Sequence, residues 1–487
     1  MGSTKALTKT MFEDFQVKGY WWIPEKEEKV SGILFYKQDK IELELLGTLN
    51  VDDGVLANPM NHQAILGMSD KGEKFTLFKG FPIQITTNFP GYPTETYSID
   101  SFLVGGHFYN LEDINFSYCS FIPTYLTKWL SRGVFEETGW FKDDTSILEK
   151  MQLSYTPPTT FKYYVSSINA YIEEQGSANF SGDLIEERIW KNKGILYIRP
   201  EHIQSMQWLK ERTYLLRELL ALLTGQAIYF KNIYYFGEEE QREEDSKPFN
   251  PQYSYFFKQD KSKFKPNFKD SDILVKFSDI EENFGSILES WFGKQEILET
   301  VCSLYFNELY MEKTLLNTSF LNMVQMLEIY HRRVYEGKIF DEATYKENES
   351  KLLGYVQSEL PEEFAKRVAN LLSHGNEYSL SKRLREIISS LEPETKAYLF
   401  GNSKNRDRFV QQLVDTRNFL THYDKTEKKN LLEKSDEKFY ALQRLRTLVT
   451  LILFKEIGVE ESSIRDKIAQ SRKYQSVISG AKAVLNK

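Results

Sequence analysis

The run VDTRNFLTHYD, residues 414–424, places a permanent cation, an amide and an imidazole close together in Arg417, Asn418 and His422. These are the groups needed to cleave RNA without a metal. An imidazole titrates near neutral pH and can move the proton of a 2′-hydroxyl or of a leaving oxygen. A guanidinium can grip a phosphate through two parallel hydrogen bonds and offset the charge that builds there. The amide can orient the phosphate or the histidine.

Spacing alone is a weak signal. Six histidines and three permitted spacings leave room for about 0.7 chance Arg–His pairs, with arginine at about 4% of residues. Two such pairs occur. The second, Arg367 with His374, serves as an internal control. His374 precedes Gly375 at an expected helix C-terminus, where a cationic imidazole suits the helix dipole. Around Arg417 the setting differs. A polar residue follows the arginine, Phe419 and Leu420 supply core anchors, and apolar helices flank the run. Residues five apart on an ideal helix point about 140° from each other. Arg417 and His422 therefore converge only if the helix breaks near His422. The residues alone leave two readings open: a catalytic pair, or a surface arginine beside a C-capping histidine.

Upstream, the run QMLEIYH, residues 325–331, puts Glu328 and His331 three apart on one helix, so they face the same way. Their plain reading is a surface cluster with Arg332 and Arg333; their resemblance to a family helix, below, is what makes them auxiliary site candidates. No Gly-rich phosphate loop, HExxH or GxSxG occurs, which removes NTPase, zinc-protease and esterase readings.

The elements that position these residues follow from composition and periodicity. The chain has 487 residues, 41% hydrophobic and 27% charged, enough for two or three domains with real cores. Aromatics at 14% favour pleated surfaces. Only Cys119 and Cys302 occur, so neither a disulfide framework nor a cysteine zinc site is expected, and no metal or cofactor is assigned. The N-terminus lacks a hydrophobic signal core, and Ala6 breaks the myristoylation pattern after Gly2. The leucine-rich stretch 214–223 carries Arg217 and Glu218 and reads as a core helix. No membrane association is expected, and the cytoplasm is the expected compartment. A net charge of -8 argues against a dedicated duplex binder and confines nucleic acid to a local cationic site.

Up to about residue 200 the pattern is strand-like. Ile41, Leu43 and Leu45 alternate with Glu42 and Glu44, and runs at 31–36, 75–78, 82–86, 114–118, 161–165 and 195–198 read similarly. Turn signals fall at Asp53-Gly54, Lys79-Gly80, Pro90-Gly91 and Lys193-Gly194. A helix near 201–225 and a strand over 227–236 follow. The acidic run 238–245 reads as a solvated loop. The lysine-rich run 261–266 reads as part of a linker. Helical periodicity then takes over, with helices expected around 320–330, 361–373, 378–391 and 408–415. A long one is capped by Ser435, and a last one begins near Ser462. The expected fold class is α+β: a β-rich, sandwich- or barrel-like N-terminal domain over 1–258, a linker over 259–279, and an all-α bundle over 280–487.

Arg417-Asn418-x3-His422 ahead of a final long helix resembles the signature of HEPN ribonucleases. Residues 325–331 resemble the Q-x-L-E-x-x-H helix of HEPN domains in ApeA-type proteins, and the aromatic β-rich half resembles the ApeA N-terminal domain. ApeA-like proteins are anti-phage abortive-infection ribonucleases. The resemblance implies that Arg417 and His422 are catalytic, with Asn418 as their polar partner. It implies an RNA substrate that is single-stranded or looped, such as tRNA, cut to a 2′,3′-cyclic phosphate. It also implies a homodimer through the HEPN domain, and a phage-derived trigger acting on the N-terminal domain. Two other classes remain: a non-catalytic HEPN-fold adaptor, and a glycan-binding β domain fused to a helical oligomerisation module.

Overall fold

The computed structural model describes residues 5–24, 26–49, 60–86, 90–142, 146–183, 185–241, 247–423 and 429–486. The Asp53-Gly54 signal, Asp424 and residues 242–245 of the acidic run lie outside them. Contacts divide the chain into two compact units, Met1–Phe292 and Gly293–Lys487.

The first unit is β-rich. Its opening strands are β1 (Phe15–Trp22), β2 (Val30–Tyr36), β3 (Ile41–Leu45), β4 (His62–Ser69), β5 (Lys74–Thr86), β6 (Thr94–Ser98) and β7 (Ser101–Val104). Six of them close on themselves in the order β5-β4-β1-β2-β3-β6, with β6 pairing back to β5. This is a small barrel. Closure leaves no open edge. In β3 the expected alternation holds, with Ile41, Leu43 and Leu45 buried. The barrel is filled by rings: Phe102 stacks on Phe256 at 5.0 Å and Phe15 on Tyr36 at 4.9 Å.

β5 departs from the sequence expectation. Lys79-Gly80 does not separate two strands. It lies inside one 13-residue strand. Lys79 at φ 52 and a register shift at Pro82–Gln84 bend that strand, so it pairs with β4 and β7 first and with β6 later. Barrel closure overrides the local turn signal.

The sheet continues outward through β8 (Asn115–Phe116), β9 (Tyr118–Pro123), α1 (Leu126–Leu130), β10 (Phe135–Phe141), β11 (Leu148–Tyr155), β12 (Lys162–Val165), β13 (Ala170–Gly182), β14 (Arg188–Pro200), β15 (Gln204–Ser205), α2 (Met206–Thr224), β16 (Phe230–Phe236) and β17 (Gln252–Phe257). Strands β12-β13-β14-β9-β16-β17 join the barrel at β7, while β10–β11 and β15–β8 form separate two-stranded ladders. Lys193-Gly194 is likewise no turn. It sits mid-strand in β14, and a Cβ on Gly194 would lie 2.8 Å from Leu130 Cδ1, so the glycine admits α1. In α2, Ser205 Oγ accepts the Trp208 N–H at 3.1 Å, and Leu209, Leu216, Leu219, Leu220 and Leu223 are buried. The stretch read as a linker, 259–279, belongs to this unit: Phe268, Leu274, Val275 and Phe277 are buried, and Trp129 Nε1 donates to Val275 O at 3.0 Å. Helix α3 (Phe284–Gly293) closes the unit.

The second unit is all helical: α4 (Gln295–Tyr310), α5 (Leu316–Val334), α6 (Glu342–Glu359), α7 (Glu362–Leu372), α8 (Leu380–Ser389), α9 (Pro393–Phe400), α10 (Ser403–His422), α11 (Ser435–Glu456), α12 (Glu461–Gln470) and α13 (Arg472–Leu485). The most buried helix is α11, from Ala441 to Phe454, packed on α5 and α13. Its start differs in detail from the expectation. Ser435 is the first helical residue, and the Glu437 carboxylate accepts the Lys434 N–H at 3.0 Å. No helix among the described residues is long and apolar enough to cross a membrane.

Gly67 tests the barrel packing. A Cβ there would lie 2.2 Å from Trp21 Cε3, whereas one on Gly133 meets nothing within 4 Å. Gly67→Ala should cost about 1–3 kcal/mol by overpacking, and Gly133→Ala no more than about 0.5 kcal/mol. Urea midpoints of the full chain check this. Equal midpoints would contradict the packing described.

Candidate functional site

The expected Arg–His pair lies on α10, which runs unbroken to His422. Asn402 caps its start, accepting the Asn405 N–H at 2.9 Å. Its end is set by Tyr423 in the left-handed region at φ 48, whose N–H returns to Phe419 O at 2.7 Å. The pattern therefore breaks one residue after His422, not before it. Leu413, Thr416 and Leu420 form the buried stripe. Thr416 Oγ1 also accepts the Leu432 N–H at 3.0 Å, drawing the returning chain alongside.

Arg417 is 36% exposed, which leaves it open to a ligand. Its Nη1 donates to Asn418 Oδ1 at 3.2 Å, and its Nη2 stands 3.7 Å from the Glu328 carboxylate on α5. His422 is exposed at the helix end. The structure thus brings Arg417, Asn418 and Glu328 together. Among the described contacts, none joins His422 to Arg417, and on a regular helix they point about 140° apart.

Glu328 and His331 serve different neighbours. Glu328 also pairs with Arg332 at 3.3 Å, and Arg332 with Glu377. His331 is fully buried and stacks on Tyr335 at 4.9 Å. Arg383 Nη1 reaches its Nδ1 at 3.0 Å, and Glu386 Oε2 its Nε2 at 2.7 Å. A guanidinium only donates, so Nδ1 accepts and Nε2 carries the hydrogen given to Glu386. Arg383 in turn pairs with Glu377 at 3.2 Å. An alternating chain of charge thus runs from Arg417 through Glu328, Arg332, Glu377 and Arg383 to His331 and Glu386. His331 is not a surface partner of Arg332 and Arg333. Arg333 bonds instead to the α4 backbone at Glu296 and Ile297. The roles of Glu377, Arg383 and Glu386 went unread. Arg383 and Glu386 are i,i+3 neighbours on α8, but only the apolar companions Leu384 and Ile387 hinted that this face turns inward.

Beside the motif lies an open groove of about 450 Å³, lined by Leu316, Asn317, Thr318, Leu420, Tyr423 and Lys438, among others. The N-terminal turns of α5 and α11 border it. The first-turn N–H groups of α5 and the Lys438 ammonium favour an anion, while at α11 the Asp436 carboxylate already accepts the Glu437 N–H at 2.9 Å. Among the described residues no group of three His, Cys, Asp or Glu side chains is placed to hold a metal ion.

A β-rich module holding a barrel, followed by an all-helical module, defines the class of protein. The model described as ApeA N-terminal domain 1 matches residues 16–291, more than half of the chain. That described as Apea-like HEPN matches residues 321–463, which include most of α5 and all of α8, α10 and α11. The chain belongs to the ApeA family, with a HEPN domain in its helical unit. No curated protein and no solved structure matches it significantly.

His331 yields a pH prediction. Burial, foremost, holds its imidazole below the ordinary range; Glu386 opposes this and the Arg383 cation adds to it. The unfolded imidazole therefore takes up its proton at higher pH than the folded one. Stability is fully present above about pH 6.5 and falls as pH drops through that value. Hydrogen exchange at α5 and α8 amides should quicken between about pH 7.5 and 5.5, relative to the intrinsic rate. In His331→Gln that pH dependence should flatten. An unchanged dependence would clear His331 of the effect.

Proposed function

We propose that the chain is a metal-independent endoribonuclease of an anti-phage abortive-infection system, acting in the cytoplasm. The observation that carries the reading is an exposed imidazole and a half-exposed guanidinium–amide pair on the last two turns of α10. Both lie inside the region matched as Apea-like HEPN.

In the proposed reaction the substrate 2′-oxygen attacks the adjacent phosphorus as its proton passes to an imidazole. The P–O5′ bond breaks, and an imidazolium returns a proton to the leaving 5′-oxygen. The products are a 2′,3′-cyclic phosphate and a 5′-hydroxyl. Arg417 steadies the phosphate oxygens and Asn418 holds the guanidinium in place. One imidazole cannot accept and donate at the same instant, and Arg417 and His422 diverge within one helix. Both facts favour a homodimer through the HEPN domain, in which one protomer's His422 works beside its partner's Arg417. A loop or single strand, a tRNA loop for example, can splay its nucleotides into such a groove. The N-terminal domain then receives a phage-derived trigger.

One contact favours a second reading. Glu328 beside Arg417 offsets the cation that a phosphate would need. In a non-catalytic adaptor that pair is simply structural.

The two readings separate by assay. The ribonuclease predicts RNA fragments with cyclic-phosphate and 5′-hydroxyl ends, formed undiminished in chelator. Arg417→Ala and His422→Ala should each lower the rate by about 10²–10⁴-fold. Arg417→Lys should recover only part, because the bidentate fork is lost. Ends bearing a 5′-phosphate, or full activity in His422→Ala, would reject the scheme. An overproduced adaptor would leave growth indifferent to all three changes.

A further inference from the structure

The β10–β11 hairpin is the most exposed apolar feature of the first unit. It is a two-stranded ladder separate from the main sheet, and among the described residues neither outer edge is paired. The cross-strand pairs Phe135–Tyr155, Glu137–Leu153 and Gly139–Met151 place these side chains on one face. The register shift after Trp140 leaves Glu149 unpaired and returns Leu148 to that face. A Cβ on Gly139 would sit 3.4 Å from the Phe141 ring and 3.5 Å from Leu148 Cδ1, so both lie on it too. The opposite face is polar, with Glu136, Thr138, Gln152 and Ser154, and Lys150 covers Trp140 at 4.7 Å.

The apolar face is anchored at one end only. Phe135, Tyr155, Phe180 and Trp190 form a ring cluster, with centroids 5.1–6.3 Å apart, that ties it to the far ends of β13 and β14. Beyond the cluster, Phe141, Leu148, Met151 and Leu153 are 59%, 50%, 54% and 41% exposed. A two-stranded hairpin with an uncovered apolar face is marginal by itself, and a contiguous exposed patch of this kind marks an interaction surface.

Charge selects the occupant. Glu137 stands in the apolar face opposite Leu153, with no ion-pair partner among the described residues. The two strands carry Glu136, Glu137 and Glu149 against Lys150 alone. A second copy docked by a two-fold would bury Glu137 and its twin in the apolar contact without a cation. An anionic lipid surface would be repelled. We propose that this face docks an extended segment of another protein, in which apolar side chains flank a lysine or arginine that pairs with Glu137. The open strand edges offer such a segment backbone hydrogen bonds as well. The face stands on its own geometry. It would give the trigger reading a receiving surface, and its test involves no RNA cleavage, so either can fail alone.

The test is selection of a yeast-displayed random peptide library on the full chain, counter-selected on Met151→Ser/Leu153→Ser. Enriched peptides should combine Phe, Leu or Met with at least one Lys or Arg. Binding of synthetic copies should weaken about tenfold or more in the double variant. In Glu137→Gln it should weaken about threefold and lose its salt dependence. Thr138→Asp, on the polar face, should bind as wild type. Circular dichroism melts verify that each variant is folded. No enriched class, acidic peptides, or equal binding to the double variant would overturn the proposal. So would binding of the hairpin to phosphatidylserine vesicles, or a dimer by light scattering that the double variant dissociates.

Discussion

The face of the helical unit shared by α5, α8 and α10 depends on charges held in one connected chain. Arg417, Glu328, Arg332, Glu377, Arg383, His331 and Glu386 alternate in sign or polarity from the solvent edge of α10 to the interior behind α5 and α8. Arg383 is 3% exposed and His331 fully buried, so neither can exchange a lost partner for water. Each carboxylate therefore has a fixed place, and each fixes the guanidinium beyond it. At its outer end the chain sets a carboxylate beside Arg417, while the directed bond to the guanidinium comes from the Asn418 amide at 3.2 Å. In the proposed reaction, ordering this long side chain in advance would remove an entropic cost from gripping a phosphate.

Helix geometry supplies the opposing constraint. Because α10 stays regular through His422, the Arg417 and His422 side chains leave one helix about 140° apart. The left-handed Tyr423 frees the chain only after the histidine. In the proposed homodimer, a composite site across two protomers would resolve this without bending the helix. Activity would then be contingent on assembly, a suitable safeguard for the ribonuclease proposed.

Legibility in the sequence followed burial. β3 and α5 were readable because one face of each is buried, which enforces a period of two or 3.6, and α11 because it is buried nearly all round over its second half. The signals at Lys79-Gly80 and Lys193-Gly194 misled because the same residue types serve two ends. Barrel closure needs a bend inside β5, and α1 needs a bare backbone against β14. The hairpin strands β10 and β11 escaped notice because their apolar and charged residues follow the main sheet's needs at neither face. At the candidate site, types and spacing singled out Arg417, Asn418 and His422 as candidates, because chemistry restricts which groups can act. Sequence could not show that His331 is buried, since that depends on Arg383 and Glu386, which lie far along the chain.

An acidic chain can still handle RNA if its anions can be exchanged. Glu328 lies 3.7 Å from Arg417, beyond hydrogen-bonding distance, so the pair is held by charge and not by a directed bond. A phosphate entering beside Arg417 could form two short charge-assisted bonds in its place. Glu328 would retain Arg332, and Arg332 would retain Glu377, so the displaced carboxylate would not be stranded. In the proposed reaction, the contact that quiets the guanidinium at rest would yield to substrate. The N-terminal end of α5, with Lys438, would help draw the next phosphate into the neighbouring groove. Local charge, and not the net charge of the chain, would then set the encounter.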